Sequence, residues 1–341
     1  MHKKERIHWV DIARGIGILF VMYAHVLGNQ GIRYWFYAFH MPLFFFLSGV
    51  VFKKYDSFGT FFKKSVKGLL IPYFIFAILM YGIWIINRGD FNLLSNTNVK
   101  QFLSIFYGNG NDGLMLFNDV LWFLPALFVT RVIFASIVYV TDKTKRVVLT
   151  LFVFSVVGYV FSLLFPSTRL PFGIETALSA VVFYGAGHLW FSSEKGKEII
   201  IKYRKVLFPS LIVVMTILAT IGFNYFGHQI DMRANRLNNY FLFYFDAFAG
   251  TFAWIAFSVM LNKNTMLEYL GRNSLILFAW HPIIFNYLRQ FVTGNFSSDI
   301  INNIKFSLPA IFTAIAGTVI LSVNLLLKKI RNFKTLNLPG R

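Results

Sequence analysis

Residues 8–28 read HWVDIARGIGILFVMYAHVLG. This apolar run is long enough to cross a bilayer as one helix, for which about 20 residues suffice, yet it contains Asp11, Arg14 and His25. Ionisable groups in a membrane helix are costly and face a protein interior or a water-filled cavity. The stretch therefore predicts one helix of a bundle, and the rest of the chain agrees. Of its 341 residues 57% are hydrophobic and 14% charged, with a mean hydropathy of +0.60; soluble chains hold about 45–50% and about 25%. The 42 Phe and 16 Tyr fit a lipid-facing surface with aromatic ends. With no cysteine, disulfides, thiolate chemistry and Cys-ligated metals are excluded. The net charge of +19 is spread in short runs between apolar segments and forms no basic domain, so no nucleic-acid partner is expected. The first apolar run lacks a small-x-small cleavage site, and no cleaved leader is expected.

Ten apolar segments are spaced along the chain: 9–28, 36–52, 69–86, 121–140, 147–165, 174–192, 206–226, 240–261, 273–292 and 305–327. Cytoplasmic loops of membrane proteins are enriched in Lys and Arg. Starting from a cytoplasmic N-terminus, one set of loops and tails gathers 23 cations. They are Lys3, Lys4 and Arg6; Lys53, Lys54, Lys63, Lys64 and Lys67; Lys143, Lys145 and Arg146; Lys195, Lys197, Lys202, Arg204 and Lys205; Lys263 and Arg272; and Lys328, Lys329, Arg331, Lys334 and Arg341. The other set holds only 6: Arg33, Arg88, Lys100, Arg169, Arg233 and Arg236. The expected fold is thus an all-α polytopic bundle of about ten transmembrane helices with both termini cytoplasmic. It forms a single membrane domain over 1–341 with short tails at 1–8 and 328–341. Residues 57–68 are expected to lie along the membrane surface as a partly helical segment, and 87–120 to form the longest external loop. No internal repeat is visible.

Arg14 and His25 are eleven residues apart, close to three helical turns, so they share one face about 16 Å apart along the axis. Asp11, three residues before Arg14, is placed to pair with it. His40, Arg131, Glu175, His188, Asp246 and His281 are further ionisable groups inside apolar segments. A lone intramembrane histidine more often bonds a neighbouring helix than works chemically. An arginine in phase and three further histidines, each able to carry a proton near neutral pH, favour a functional stripe here.

The stretch from His8 through Asp11, Arg14 and Gly15 to His25 resembles the opening of the acyltransferase family 3 membrane proteins, in which an Arg, ten residues and a His recur. Residues 39–49, FHMPLFFFLSG, resemble that family's second signature. Fainter echoes follow in order at 69–73 (LLIPY), 121–124 (LWFL), 170–172 (LPF) with Glu175-Thr176-Ala177, 273–275 (NSL), and His281-Pro282. Together they cover essentially the whole chain. The resemblance implies transfer of an acyl group, usually acetyl, from cytoplasmic acyl-CoA to a hydroxyl of an extracytoplasmic sugar. The 170–187 stretch is most similar to that of the sugar O-acetylases of the family.

Acyl transfer to an alcohol needs a base for the hydroxyl proton and a donor for the developing oxyanion. His25 is the expected base, with an acyl-histidine or Ser48 as an open alternative, and Asp11 supports Arg14. Arg14, Lys64 and Lys67 are expected to hold the donor's pantetheine arm and phosphates. Many family members carry Arg-x-x-Arg where this chain has Lys64 and Lys67; lysine keeps the charge but loses the bidentate fork. His40, Trp122, Glu175 and His281 are candidate acceptor-binding residues, each with a plainer reading. These are an interfacial hydrogen bond, an aromatic anchor, a carboxylate suited to a helix N-terminus, and a bond to a carbonyl freed by Pro282. Asp231, Arg233 and Asn239 form a polar external loop that either contacts an acceptor or is simply solvated. No metal-ligand spacing appears and no permanent cofactor is implied; acetyl-CoA is a substrate. The expected setting is the bacterial-type cytoplasmic membrane, with the lipid bilayer, acyl-CoA and a cell-surface glycan as partners. A proton-coupled transporter or a non-catalytic component of polysaccharide export is the competing reading. Transporters often show repeated halves, and none is visible here.

Overall fold

A computed structural model describes the backbone of residues 7–336 and the side chains of all of these except 302, 303 and 330–336. The terminal cations Lys3, Lys4, Arg6, Arg331, Lys334 and Arg341 lie outside the described side chains. About 80% of the chain is helix. In order, the helices are α1 (His8–Val26), α2 (Gln30–Tyr37), α3 (His40–Val50), α4 (Phe58–Ser65), α5 (Ile71–Arg88) and α6 (Asn96–Tyr107). Then come α7 (Phe123–Val140), α8 (Thr144–Leu164), α9 (Ile174–Ser192), α10 (Glu194–Phe226) and α11 (Tyr240–Leu261). The last are α12 (Thr265–Arg272), α13 (Ser274–Asn295), α14 (Ser298–Ile304) and α15 (Leu308–Leu336).

Each of the ten apolar stretches falls on a helix, and 7 helices among the described residues are long and apolar enough to cross a membrane. The three outside that set are α3, α9 and α13. Helix α3 has only 11 residues because Phe39, at φ −132° and ψ −20°, breaks the helical geometry and splits 36–52 between α2 and α3. Glu175 and His188 dilute the hydropathy of α9, as His281 and Asn286 do that of α13.

The structure adds detail to three expectations. The segment 57–68 is helical, as expected, and continuous with the next helix: α4 passes through a π-helical turn, Val66–Leu70, into α5. Pro72 has no N–H for the carbonyl of Gly68, and the π turn absorbs the missing bond. The cations between Lys195 and Lys205 are not in a loop. They ride on α10, whose 33 residues span about 50 Å against a hydrocarbon core of about 30 Å. The long connection 87–120 is an ordered cap containing α6, with Asn98, Gln101, Ser104, Asn109 and Asn111 buried. Gln101 Nε2 donates to Gly113 O at 2.8 Å, and the Tyr73 hydroxyl to Ile105 O at 2.6 Å.

Helix α1 runs through the middle of the bundle, against α3, α11, α12, α13 and α15. Small residues let membrane helices approach closely, and two contacts here depend on glycine from both sides. A Cβ on Gly15 would overlap Leu267 O, and one on Gly271 would overlap Asp11 O, which locks α1 to α12. Gly49 meets Tyr184 O and Gly187 meets Phe46 O in the same way, locking α3 to α9. A methyl on Gly317, in contrast, would meet nothing. Gly187→Val is expected to lower stability by about 1–3 kcal/mol, read as a drop in Tm of the detergent-solubilised protein. The same change at Gly317 is expected to leave Tm within error; equal effects would refute the close-packed interface.

Candidate active site

One face of α1 lines two successive cavities. Arg14 and Ile18 line the first, of about 350 Å³, with Ser48 of α3, Gly68 of the π turn, Arg131 of α7 and Ser274 of α13. Val21 and His25 line the second, of about 100 Å³, with Arg33, Tyr37, His40, Asp119, Trp122, Asp231 and Arg233. Positions 14, 18, 21 and 25 recur at the helical period, so the stripe read from the sequence is the wall of both spaces. Met41 and Phe278 belong to both linings and stand between them. His25 and Asp119 also line a third space of about 500 Å³, which opens among Trp84, Asn87, Arg88, Asn286, Arg289 and Gln290. The Arg14 cavity lies toward the end of the bundle that carries Lys54, Lys197, Arg272 and Lys328. The vestibule lies at the other end.

The His25 ring meets His281 edge-on, with centroids 5.2 Å apart, and Tyr37 at 6.4 Å; Tyr37 in turn meets His40 at 4.9 Å. His281 Nδ1 lies 3.1 Å from Leu277 O and His40 Nδ1 lies 2.6 Å from Phe36 O. A carbonyl only accepts, so both rings donate from Nδ1 and keep a lone pair on Nε2. His281 Nε2 is buried with no hydrogen-bond partner. Two imidazoles, His25 and His40, therefore line the small space, and a third, His281, backs His25 with an unspent acceptor; a positioned imidazole is what proton transfer to or from a bound hydroxyl requires.

Above His25 the loop between α10 and α11 closes the cavity. Arg233 pairs with Asp119, sits 3.8 Å from Asp231, and donates to Gly110 O. Burial works against its charge, but Asp231 and Asp119 outweigh burial and hold its pKa above the usual arginine value. Asn118 Nδ2 donates to Ala279 O at 2.8 Å, which ties the turn carrying Asp119 to α13 two residues before His281. The loop itself turns through Asn235 and Asn238 in the left-handed region, at φ 49° and 59°, a conformation asparagine tolerates better than most residues.

The model of an acyltransferase domain matches residues 7–325. The chain belongs to the acyltransferase 3 family. No curated protein and no solved structure matches it. In this family member the structure brings together His25, His40 and Trp122 around one small cavity, with His281 packed edge-on against His25 outside its lining, and sets Arg14 on the wall of the adjoining one. Trp122 is 7% exposed and forms part of the cavity wall, where the plainer sequence reading had it anchoring the membrane surface. Asp11 pairs with Arg14 at 3.9 Å, as its spacing predicts, and lines neither cavity. Ser48 lines the Arg14 cavity, but its hydroxyl donates to Phe44 O at 2.8 Å. Lys67 immediately precedes Gly68 of that cavity; Lys64 is a turn earlier, with Nζ 4.0 Å over the Tyr55 ring. Both lysines are exposed. His188 packs between Phe52 and Phe134, away from these cavities. Asn239 caps α11 by accepting from Phe241 N and Leu242 N.

Glu175 is not brought to this site. It is fully buried, and its carboxylate accepts from Asn109 Nδ2 at 2.7 Å and from Leu170 N at 3.1 Å. Asn109 also receives a bond from Asn111, which in turn donates to Arg233 O at 2.6 Å. Glu175 thus anchors the cap over the site, and its link to the site runs through that chain. Arg131, in contrast, lines the Arg14 cavity, and no carboxylate among the described residues pairs with it. The sequence signals it only as an arginine inside an apolar segment. Asp119 carries no sequence signal at all. Glu175→Leu is expected to cost about 1–3 kcal/mol for each donor left unsatisfied, seen as a clear loss in Tm. A variant of unchanged Tm that loses only acceptor affinity would overturn this structural role.

Proposed function

We propose that this chain is a membrane O-acyltransferase that passes acetyl from acetyl-CoA to a hydroxyl of a cell-surface glycan. The observation that carries the reading is the position of His25. It stands where a small enclosed cavity meets an open vestibule, one apolar partition away from a cavity walled by Arg14 and Arg131. The positive-inside distribution assigns the lysine-rich end to the cytoplasm, with ten spans and both termini on that side. Acetyl-CoA then enters beside Gly68. Arg14 and Arg131 face the thioester and pantetheine arm, while Lys64 and Lys67 at the rim attract the nucleotide phosphates. The acceptor enters through the vestibule, where Trp84 offers a stacking face and Asn87, Asn286 and Gln290 offer amide groups of the kind that bond sugar hydroxyls.

In the transfer step the acceptor hydroxyl loses its proton to His25, and its oxygen bonds to the acetyl carbon. The carbon–sulfur bond breaks, and the CoA thiolate recovers the proton from His25. His40 and His281 hold fixed orientations around that proton. The partition separates the donor side from the acceptor side, and the loop pinned through Arg233 and Asp119 covers the small cavity. The transporter reading finds less support, because the chain shows no repeated halves.

Two outcomes test the proposal. Purified protein given radiolabelled acetyl-CoA and isolated surface glycan is expected to label the glycan, and His25→Ala to lower the rate by about 10²–10⁴-fold. No label from the wild type, or equal labelling by His25→Ala, would refute it. Met41→Trp fills the partition and is expected to abolish transfer while acetyl-CoA binding, followed by calorimetry, persists. Transfer at the wild-type rate would exclude passage between Met41 and Phe278.

A further inference from the structure

Helix α10 packs along α11, yet none of residues 201–214 is buried. Two cavities lie along this part of α10 and share a wall. The first, of about 510 Å³, is lined by His8, Trp9, Lys197, Ile201, Arg204 and Asn262 together with neighbouring apolar groups. The second, of about 680 Å³, runs deeper between Leu207, Leu211, Val214 and Leu218 of α10 and Phe245, Phe248 and Phe252 of α11. Trp190 and Ile200 line both and mark the join. Neither space shares a lining residue with the cavities of Arg14 and His25.

The chemistry of the pair is polarised along the helix axis. The upper cavity contains two cations and a histidine and no carboxylate in its wall. Lys197 pairs with Glu194 at 2.6 Å, but the Glu194 carboxylate is 90% exposed, where an ion pair contributes little. His8 is occupied by Glu268 at 3.1 Å. Arg204 has no carboxylate partner among the described residues; it donates to Ile201 O. The lower groove is lined entirely by apolar residues and glycine. Its α10 wall begins at Gly196, level with Lys197, and continues to Leu218, about 33 Å, so an acyl chain that starts at the level of the cations stays within apolar walls across its leaflet of a hydrocarbon core of about 30 Å.

The geometry points to a bound anionic phospholipid on this face. Its phosphate headgroup lies between Lys197 and Arg204, and one acyl chain runs down the groove between α10 and α11, past Trp190. The charge of the upper cavity selects the headgroup, and the apolar groove, which starts beside it and continues deeper, takes the chain. The site is separate from the transfer site and independent of the reaction assigned above.

The test uses the full chain reconstituted in bilayers of equal phosphatidylcholine and phosphatidylglycerol, then extracted gently and weighed by native mass spectrometry. The wild type is expected to retain phosphatidylglycerol roughly tenfold over phosphatidylcholine. The Lys197→Gln, Arg204→Gln double variant is expected to fall to the bilayer ratio, and Leu211→Trp to lose both lipids. As a second reading, phosphatidylglycerol brominated in its acyl chain is expected to quench a fluorescence component that Trp190→Phe lacks. A wild type at the bilayer ratio, or a double variant as selective as the wild type, would overturn the proposal. So would a lipid-free dimer that Leu211→Trp dissociates, since a second copy would then be the occupant.

Discussion

A guanidinium and an imidazole on one face of a helix that is otherwise apolar constrain everything around them. Lipid cannot solvate that face, so other helices must surround it, and the space they leave must be polar at both ends. Helix α1 meets this requirement by running through the centre of the bundle, where Gly15 and Gly271 bring α12 close and α3, α11, α13 and α15 complete the ring. The cavities of Arg14 and His25 are what remains once that packing is complete. Desolvation makes a buried charge expensive unless it is paired. The nearby Asp11 offers Arg14 only a 3.9 Å contact, which leaves most of the guanidinium's capacity directed into the cavity.

The end beyond His25 is built differently. No membrane helix supplies its lid; a network of amides and carboxylates does. Glu175 holds Asn109 and Leu170, Asn111 reaches the backbone of Arg233, and Arg233 closes on Asp119. Each member satisfies another, as buried polar networks must. A change at Glu175 is therefore felt at His25 although the two share no cavity.

The helical period of α1 was legible in the sequence because 14, 18, 21 and 25 lie within one element and need only the pitch of the helix to bring them into line. The apolar stretches were legible for the same reason, and so was the family, through the residues around Arg14, His25 and His40. What escaped depends on tertiary placement. Phe39 reads as one more apolar residue, yet its backbone interrupts a segment that composition presents as continuous. Lys195 to Lys205 look like a loop because they are charged, but lysine and arginine are good helix formers and α10 simply starts earlier. Glu175 looked like a ligand for an acceptor because its partner Asn109 comes from a distant cap. Asp119 sits in a polar stretch like many others until Arg233, over a hundred residues away, is folded onto it.

The two side chains between the cavities also bear on the membrane as an electrical insulator. A continuous wet path from the Arg14 cavity to the vestibule would let protons and salt ions run down the transmembrane potential, which is worth about 2.3 kcal/mol per charge at 100 mV. A sulfur-bearing and an aromatic side chain, Met41 and Phe278, interrupt the water column with apolar surface, and hydrophobic constrictions of this kind exclude ions by dewetting. The neutral thioester end of an acyl donor would meet no such penalty there. A partition of this kind discriminates by charge, and in an energised membrane it would hold a gradient while the spaces on its two sides stay open.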